Sequence, residues 1–251
     1  MGVSHTLLFF FLYAAGHLPG RMRPRALLSN LFLHGGSKVL LLYFLYFAPV
    51  EPFGTEFYAL NAAMALAIAF ALYADNYARF FERTDLAQSV FLADAFALGF
   101  PCGDLSKFLW SFPIPYLASG GILCAIRFLK EAECDNGAVY IENFHDFFPE
   151  NKLSATSFAV ALSFLLGTPP LHGAVWRTEF ARVIYGSGRP LSLAMFIICF
   201  CSIGYVYFKW LLAVFQKKPP RKNGIQRPST LGIDAFVFLC AAVMVVGAFL
   251  V

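Results

Sequence analysis

The stretch 158–188 reads FAVALSFLLGTPPLHGAVWRTEFARVIYGSG and contains an interruption between two apolar runs. Proline removes a backbone donor and clashes with the preceding helical turn, so a regular helix cannot continue through residues 167–173. Irregular backbone at membrane depth is tolerated only inside protein or beside water, and broken helices mark ion sites in transporters. We therefore predict a membrane helix that is broken near 167–173. The residues expected to break it are Gly167, Pro169, Pro170 and Gly173.

Two ionisable residues stand close to this interruption. If the helix breaks at 167–172, Arg177 lies just past the middle of the membrane, where ionisable side chains are rare and functional. If the helix does not break, Arg177 is an ordinary charge at the end of a span, like Glu179 and Arg182. The sequence leaves both interpretations open. His172 lies within the interruption and is either a proton relay or a loop histidine, and we favour the relay.

The composition of the whole chain agrees with a membrane protein. Of its 251 residues, 59% are hydrophobic and only 14% are charged, and 30 are phenylalanine. A soluble domain has about 25% charged and about 45–50% apolar residues, and it has too little interior to bury this much apolar surface. These figures exclude a water-soluble protein, a disordered chain and a nucleic-acid binder with a basic face. The formal net charge of +4 is modest and says little about partners.

The sequence contains no pattern that is typical of a redox or metal centre. None of the six cysteines forms a CxxC pair or a metal-binding spacing, which disfavours a zinc site, a disulfide framework and a haem attachment. A nucleophile–base pair, a phosphate-binding loop and a dinucleotide fingerprint are also missing. We therefore predict no catalytic residue, cofactor site or metal site in this chain. The cysteines, interpreted as small apolar fillers, are Cys102, Cys124, Cys134, Cys199, Cys201 and Cys240.

Apolar runs of about 20 residues are long enough to cross a membrane, and they predict an all-α polytopic membrane protein with a single membrane domain over 1–251. A shorter apolar run at 6–16 is followed at once by basic residues, which predicts an N-terminal half-helix; a cleaved presequence is the alternative. The loop at 216–229 is the most basic connection and is expected on the side where positive loops accumulate. The other charged connections are 76–85 and 130–152. The seven predicted spans are 27–48, 56–75, 86–101, 108–129, 155–182, 191–215 and 231–251.

The polar connection at 130–152 contains a segment of different character, AVYIENFHDFFPENK at 138–152. Spacings of three and four place its aromatic residues on one face of a short helix. A helix of this kind lies in the plane of the membrane interface rather than across the membrane. We therefore predict a short amphipathic interfacial helix that leads into the fifth span. The aromatic residues of its face are Tyr140, Phe144, Phe147 and Phe148.

Lys38 stands in the middle of the first span, ALLSNLFLHGGSKVLLLYFLYF at 26–47. At a rise of about 1.5 Å per residue it lies about 15 Å from either end, too deep for comfortable snorkelling. Burial disfavours the charged ammonium and makes its proton exchangeable, which predicts a proton-exchanging lysine; the alternative is a snorkelling lysine in a shifted helix. His34 lies four residues earlier on the same helix face. Gly35 and Gly36 are expected to allow close approach of a neighbouring helix.

Two further charged residues are candidates for the membrane interior. Asp94, in LAQSVFLADAFALGF, is expected to pair with Lys38, Arg177 or Lys209, unless its span is shifted and places it near an end. Lys209, in GYVYFKWLLAVF, lies in the middle to late part of its span and has the same two interpretations. The charges that we predict at span boundaries are Asp104, Lys107, Arg127 and Asp234.

The stretch AVYIENFHDFFPENKLSATSFAVALSFLLGTPPLHGAVWRTEF at 138–180 resembles the corresponding region of the antiporter-like subunits of respiratory complex I, NADH:ubiquinone oxidoreductase. In that family an acidic segment leads through a polar turn into a span with a Gly-x-Pro-Pro-x-x-Gly core and a later basic residue. The basic position falls at Arg177, where lysine is usual in subunit 2 and glutamate in subunit 4. Because arginine is very hard to deprotonate, the resemblance implies an electrostatic role for it. The matching core residues are Gly167, Pro169, Pro170 and Gly173.

Other segments resemble the same family less specifically. The sequence SKV at 37–39 is similar to the central lysine motif of the family's eighth helix, which falls at Lys38. The segment SIGYVYFKWLLAVF at 202–215 looks like the end of the thirteenth helix, with Lys209 at its basic position. The lysine of the family's seventh helix would fall near Phe10, where this chain has none.

The resemblance covers the second half of the antiporter-like fold and implies a split or truncated subunit 2. The implied partners are a separate chain that supplies the first six helices, the neighbouring subunit 4, other membrane-arm subunits and membrane lipids, but no nucleic acid. NADH, FMN, iron–sulfur clusters and ubiquinone would belong to the rest of the complex, and phospholipids such as cardiolipin are the ligands expected here. The implied location is the mitochondrial inner membrane, with a bacterial plasma membrane as the alternative.

The implied function is that of a subunit which contributes to a buried polar axis for proton translocation within an enzyme complex. Lys38 would exchange protons, Arg177 and Lys209 would set the field, and His34 and His172 would be relays. A stand-alone cation/proton antiporter is one alternative, although such transporters use two inverted repeats, which this length does not supply. A structural membrane subunit that no longer pumps is the other, and Arg177 together with the missing seventh-helix lysine favours it.

Overall fold

A computed structural model describes residues 27–47, 55–97, 113–134, 138–169, 171–186, 188, 190–217 and 231–250. Every regular element within these ranges is a helix, which confirms the predicted all-α class. The first helices are α1 (Leu27–Phe47), α2 (Thr55–Leu72), α3 (Tyr77–Ala97) and α4 (Pro113–Ala132). A 3-10 turn (Ile141–Phe144) then precedes α5 (Phe147–Glu150), α6 (Lys152–Leu166), α7 (His172–Gly186), α8 (Pro190–Phe215) and α9 (Leu231–Leu250).

Helices lie at all seven predicted membrane spans, with the fifth divided into α6 and α7. Within the described residues, one stretch is long and apolar enough to cross a membrane by length and composition, Leu193–Phe215 in α8. The apolar segments Lys152–Leu166 and Gly232–Val246 are shorter. The predicted half-helix at 6–16 and the basic loop at 216–229, apart from its first two residues, lie outside the described residues.

The third predicted span is longer at its start than the sequence suggests. The predicted connection at 76–85 is wrong, because this segment forms the first half of α3. The side chain of Asn76 caps the helix, and its Oδ1 accepts the backbone N–H of Ala78 at 2.9 Å and of Arg79 at 3.4 Å. A high local density of charge is typical of loops, but here Arg79 is exposed and Asp85 is buried with partners.

An aromatic cluster fixes the start of α3 against α8. The ring centroids of Phe80 and Trp210 lie 4.6 Å apart, and those of Tyr77 and Trp210 lie 5.3 Å apart. Phe144, from the 3-10 turn, completes the cluster at 5.3 Å from both Tyr77 and Trp210. Such pairs contribute about 0.5–1.5 kcal/mol each beyond their buried area.

Around this cluster, α4 packs against α1, α6 and α9, and α8 packs against α2, α6 and α7.

The helix break predicted near 167–173 is confirmed. Gly167 ends α6 in the left-handed conformation, with φ of 77°, and its N–H bonds the carbonyls of Ser163 and Phe164. Glycine suits this position because it has no Cβ, and a Cβ makes the left-handed conformation unfavourable for other residues. The new helix, α7, begins at His172. Of the four predicted breakers, Pro170 lies outside the described residues.

The segment 138–152 is divided rather than continuous. A 3-10 turn and the single-turn helix α5 are separated at Asp146, which has a φ of 62°. Phe144 and Phe147 are buried, whereas Tyr140 is 50% exposed, so the aromatic residues do not share one face. The prediction of one amphipathic helix is therefore wrong, because Asp146 reverses the backbone between the two turns. The position of this segment at the membrane interface stays a prediction.

Candidate functional site

The side chain of Lys38 is fully buried and forms an ion pair with a carboxylate from another helix. Its Nζ lies 2.5 Å from Oδ2 of Asp85 on α3, and it also donates a hydrogen bond to Oγ of Ser89 at 2.8 Å. Removing two charges from water is expensive, and their attraction repays the cost only when further hydrogen bonds satisfy the remaining atoms. Lys38 is therefore held in an internal ion pair, and it does not snorkel.

Hydrogen bonds from a third helix complete the surroundings of this carboxylate. Tyr116 on α4 donates its hydroxyl to Oδ1 of Asp85 at 2.6 Å. Ser89, one turn after Asp85, donates to the backbone carbonyl of Asp85 at 2.8 Å while accepting from Lys38. The i, i+4 spacing places both acceptors of Lys38 on one face of α3. We call Lys38, Asp85, Ser89, Tyr116 and His34 the Lys38 cluster.

His34 lies one helical turn before Lys38, on the same face as predicted. Its side chain is only 2% exposed, and Nδ1 is 3.8 Å from Oδ1 of Asp85, which is beyond hydrogen-bond distance. Its ring packs 5.5 Å from the ring of Phe81 and 6.3 Å from that of Tyr116, centroid to centroid. Neither ring nitrogen has a hydrogen-bond partner among the described residues. The relay role of His34 stays a prediction.

The close contact between α1 and α4 depends on a glycine that sequence reasoning missed. A Cβ at Gly120 would lie 1.8 Å from Nε2 of His34, whereas a Cβ at Gly35 or Gly36 would meet no atom of the described residues within 4 Å. Among the described residues, Gly35 and Gly36 make room for no neighbour, and their role in the approach of any other helix stays a prediction. The glycine that makes room lies on the opposing helix.

We predict that Gly120→Ala destabilises the chain by about 1–3 kcal/mol, because the new methyl group must displace a buried imidazole. His34→Ala should largely remove that penalty, so the two changes should be non-additive. Thermal unfolding of the purified chain in detergent, for both single variants and the double variant, measures this. Strict additivity of the two effects would contradict the steric account.

Arg177 lies at the helix break and is buried, with 6% of its surface exposed. Its guanidinium donates to the backbone carbonyl of Leu165 in the last turn of α6, and it lies 4.6 Å above the ring of Phe200. A positive group at a helix C-terminus is favourable for the helix dipole. No carboxylate of the described residues forms an ion pair with it. Arg177 is thus buried beside a broken helix, and its depth in the membrane stays a prediction.

The neighbouring charges of α7 behave differently from Arg177. Glu179 and Arg182 form an ion pair of 2.8 Å with each other, and Arg182 is 77% exposed. They lie in the middle and second half of α7, and their position at the membrane interface stays a prediction. Gly167 makes room for Arg177 at the break, because a Cβ there would lie 2.8 Å from a guanidinium nitrogen.

Lys209 lies apart from the buried residues. Its Nζ forms an ion pair of 2.6 Å with Oδ1 of Asp75, at the connection between α2 and α3, and the Asp75 side chain is 67% exposed. The structure therefore does not bring Lys209 into the Lys38 cluster. Asp94 lies on α3 and His172 begins α7, but both side chains lie outside the described part of the chain. Their proposed roles stay predictions.

Two solved structures share this arrangement of helices. A chain of respiratory complex I from Thermus thermophilus, with bound aureothin, matches with 18% identity and a TM-score of 0.64 over 99% of this chain and 67% of that chain. A chain of the Mrp complex from Dietzia sp. DQ12-45-1b matches with 13% identity and a TM-score of 0.73 over 98% of this chain and 56% of that chain. This chain has an antiporter-like fold. No protein-family model and no curated protein matches its sequence.

Within the antiporter-like fold, a second buried group of charges lies in the last turns of α4. Arg127 pairs with Glu131 at 2.6 Å, and Lys130 pairs with Glu133 at 2.9 Å. Lys130 also lies 4.3 Å from the ring centroid of Phe147, which ties α4 to α5. Arg127 is buried, with 6% of the residue exposed, and lies near the end of α4, so its assignment to a span boundary stays a prediction. The i, i+3 and i, i+4 spacing of opposite charges was the available signal.

The antiporter-like fold therefore assembles a site that sequence reasoning identified only in part. Lys38, His34 and Arg177 are buried as expected. Asp85 and Ser89, which contact Lys38, lie on α3, and Tyr116 on α4 contacts Asp85. The expected partner, Asp94, lies further along α3 than Asp85. The buried polar residues that sequence reasoning missed include Asp85, Gln88, Ser89, Tyr116, Tyr207 and Glu131.

Proposed function

We propose that this chain is a membrane-arm subunit of a proton-pumping NADH:ubiquinone oxidoreductase, corresponding to part of subunit 2. The observation that carries the proposal is the fully buried ion pair of Lys38 and Asp85, held by hydrogen bonds from Tyr116 and to Ser89. Ionisable residues at membrane depth are costly and functional by default. The antiporter-like fold supports the same assignment.

The chemistry of the pair suits proton transfer. A lysine ammonium and an aspartate carboxylate 2.5 Å apart can exchange one proton between Nζ and Oδ2. The products, a neutral amine and a neutral acid, have the same net charge of zero as the ion pair. The transfer therefore changes the dipole of the site without leaving a net charge in the membrane. Tyr116 and Ser89 can follow the change because a hydroxyl both donates and accepts hydrogen bonds.

The other charged residues have supporting roles in this proposal. Arg177 keeps its proton and acts on the site through its field, because a guanidinium is very hard to deprotonate. Lys209 extends that field toward a neighbouring subunit. His34 and His172 are relay candidates, and Asp94 is a further carboxylate on α3.

The proposal extends to partners and location. The chain spans 67% of the matched complex I chain and 56% of the matched Mrp chain. The remaining helices of such a subunit come from another polypeptide or from further residues of this one. Other membrane-arm subunits, including subunit 4, and lipids such as cardiolipin are the proposed contacts. NADH, FMN, iron–sulfur clusters and ubiquinone belong to the rest of the complex, in a mitochondrial inner membrane or a bacterial plasma membrane.

Lys38→Arg tests whether Lys38 exchanges protons. Arginine retains the positive charge opposite Asp85, so the complex should assemble, but it does not release a proton at working pH. We expect proton pumping per NADH oxidised to fall by about tenfold or more. The measurement is acidification of proteoliposomes that contain the reconstituted complex, followed with a pH-sensitive dye.

The double variant Lys38→Met, Asp85→Leu removes both charges from the site. Like Lys38→Arg, it should assemble into the complex and fail to pump protons. Wild-type pumping by both variants would show that the site is structural. That outcome would favour the alternative of a membrane subunit that does not pump.

The second candidate function is cation/proton antiport within a different membrane complex. The TM-score of 0.73 to a chain of the Mrp complex favours it. Migration on a native gel separates the two candidates. Co-migration with a megadalton complex that oxidises NADH supports the first, and cation-dependent proton exchange without NADH oxidation supports the second.

A further inference from the structure

A hydrogen-bonded amide lies between the Lys38 cluster and the buried arginine. Gln88 follows Asp85 by three residues on α3, so the two side chains share a helix face. Asp85 reaches toward α1, whereas Gln88 reaches toward α8 and donates its Nε2 to the hydroxyl of Tyr207 at 3.2 Å. Gln88 is 3% exposed, and Tyr207 is 1% exposed. Both side chains are therefore part of the interior and not of the surface.

Two small cavities meet at Gln88. One, of about 10 Å³, is lined by apolar residues and by polar residues that include Asp85, Tyr116, Gln88 and Tyr207. The other, of about 20 Å³, is lined by Arg177, Gln88 and apolar residues. A buried water needs a space of roughly 10–15 Å³ and two to four polar partners. The second cavity has room for one water between Arg177 and Gln88, and the first is at the limit of that size.

Gln88 is the residue that the linings of the two cavities share. A carboxyl, a hydroxyl or a water can receive a proton at one position and release one at another. A carboxamide donates hydrogen bonds through its nitrogen and accepts them through its oxygen, but it remains neutral and keeps its protons. Gln88 therefore lines both the cavity at Asp85 and the cavity at Arg177 without being able to pass a proton on.

We propose that Gln88 blocks proton transfer between the Lys38 cluster and the cavity at Arg177. This inference rests on the proposed function, because a block to proton transfer matters only where protons move. Within a membrane, an uninterrupted series of exchanging groups and waters would let protons leak. Gln88 keeps the exchange at Lys38 and Asp85 apart from Arg177 unless the amide side chain leaves Tyr207.

The pair Gln88→Glu and Gln88→Met tests this inference with side chains of nearly the same length. Glutamate can accept a proton on one oxygen and release one from the other, so it should join the two cavities. Methionine exchanges no proton and fills the same space. We expect Gln88→Glu to raise the passive proton leak of proteoliposomes containing the complex severalfold and to lower the gradient retained per NADH oxidised. Gln88→Met should match the wild type in both measurements.

Gln88→Ala provides a second route to the same result if glutamate prevents assembly, because the vacated volume lets water connect the cavities. It should also raise the leak. Loss of pumping in Gln88→Met with normal pumping in Gln88→Glu would make Gln88 a relay and overturn the inference. Unchanged leak in Gln88→Glu and Gln88→Ala would overturn it as well.

Lys38→Arg distinguishes this failure from failure of the proposed function. If Lys38→Arg stops pumping while the Gln88 variants behave as wild type, only the block at Gln88 is wrong. If Lys38→Arg and all Gln88 variants pump and hold gradients normally, the proposed function is wrong too.

Discussion

Replacing Asp85 with leucine is expected to destabilise the chain by about 3–5 kcal/mol, the range typical for removing one member of a buried ion pair. The change takes away the carboxylate that lies 2.5 Å from Nζ of Lys38. Lys38 is fully buried, so it must then hold a charge without this counter-charge or give up its proton. Either outcome costs folding free energy. The readouts are the unfolding temperature of the purified chain in detergent and the amount of assembled complex on a native gel.

The double variant Lys38→Met, Asp85→Leu is the matched control, because it removes both charges and replaces them with apolar side chains of similar length. Replacing a buried pair in this way is often neutral or stabilising. We therefore expect the double variant to regain most of the stability that Asp85→Leu loses. Tyr116 keeps an acceptor in both cases, since its hydroxyl also lies 3.3 Å from the backbone carbonyl of residue 85. A double variant as unstable as Asp85→Leu would mean that the pair is not the cause.

The same pair shows what the sequence could and could not predict. Lys38 is recognisable because it stands alone in an apolar run, and depth within such a run is a local property. Asp85 is not recognisable as a buried residue, because it follows Arg79, Glu82 and Arg83, and this charged stretch is typical of a polar connection. Its burial depends on how α3 packs against α1 and α4. No local sequence pattern predicts how these helices pack against one another.

At the helix break, too, the sequence predicts the local backbone but not the contacts between helices. Glycine and proline limit the backbone wherever they occur, so the interruption near 167–173 was predictable from four residues. The contact of Arg177 with the carbonyl of Leu165 requires α7 to fold back along α6. Gly120 is a similar case, because its small size matters only opposite His34. Contacts between helices therefore escaped sequence reasoning, while interruptions within one helix did not.

Gly173→Ala is expected to have the second large effect, a loss of about 3 kcal/mol, which is the upper end of the usual range for overpacked positions. A Cβ at Gly173 would lie 2.1 Å from the backbone oxygen of Phe164 and 3.1 Å from its carbonyl carbon. A backbone atom cannot rotate away as a side chain can, so α7 must separate from the end of α6. The carbonyl of Phe164 also accepts the N–H of Gly167, so the cap of α6 would be disturbed. Unfolding temperature and proton pumping should both fall.

Gly186→Ala is the control for this change, because it makes the same substitution at the other end of α7. A Cβ there meets no atom of the described residues within 4 Å. Alanine is a better helix former than glycine by about 1 kcal/mol, so Gly186→Ala should be neutral or slightly stabilising. The contrast isolates the close approach of α7 to α6 from any general effect of alanine in this helix. Because Arg177 lies one turn after Gly173, separation of the two helices should also move its guanidinium away from Leu165. Equal stability of the two variants would show that α7 does not pack this closely against the end of α6, and the position of Arg177 at the break would then be wrong as well.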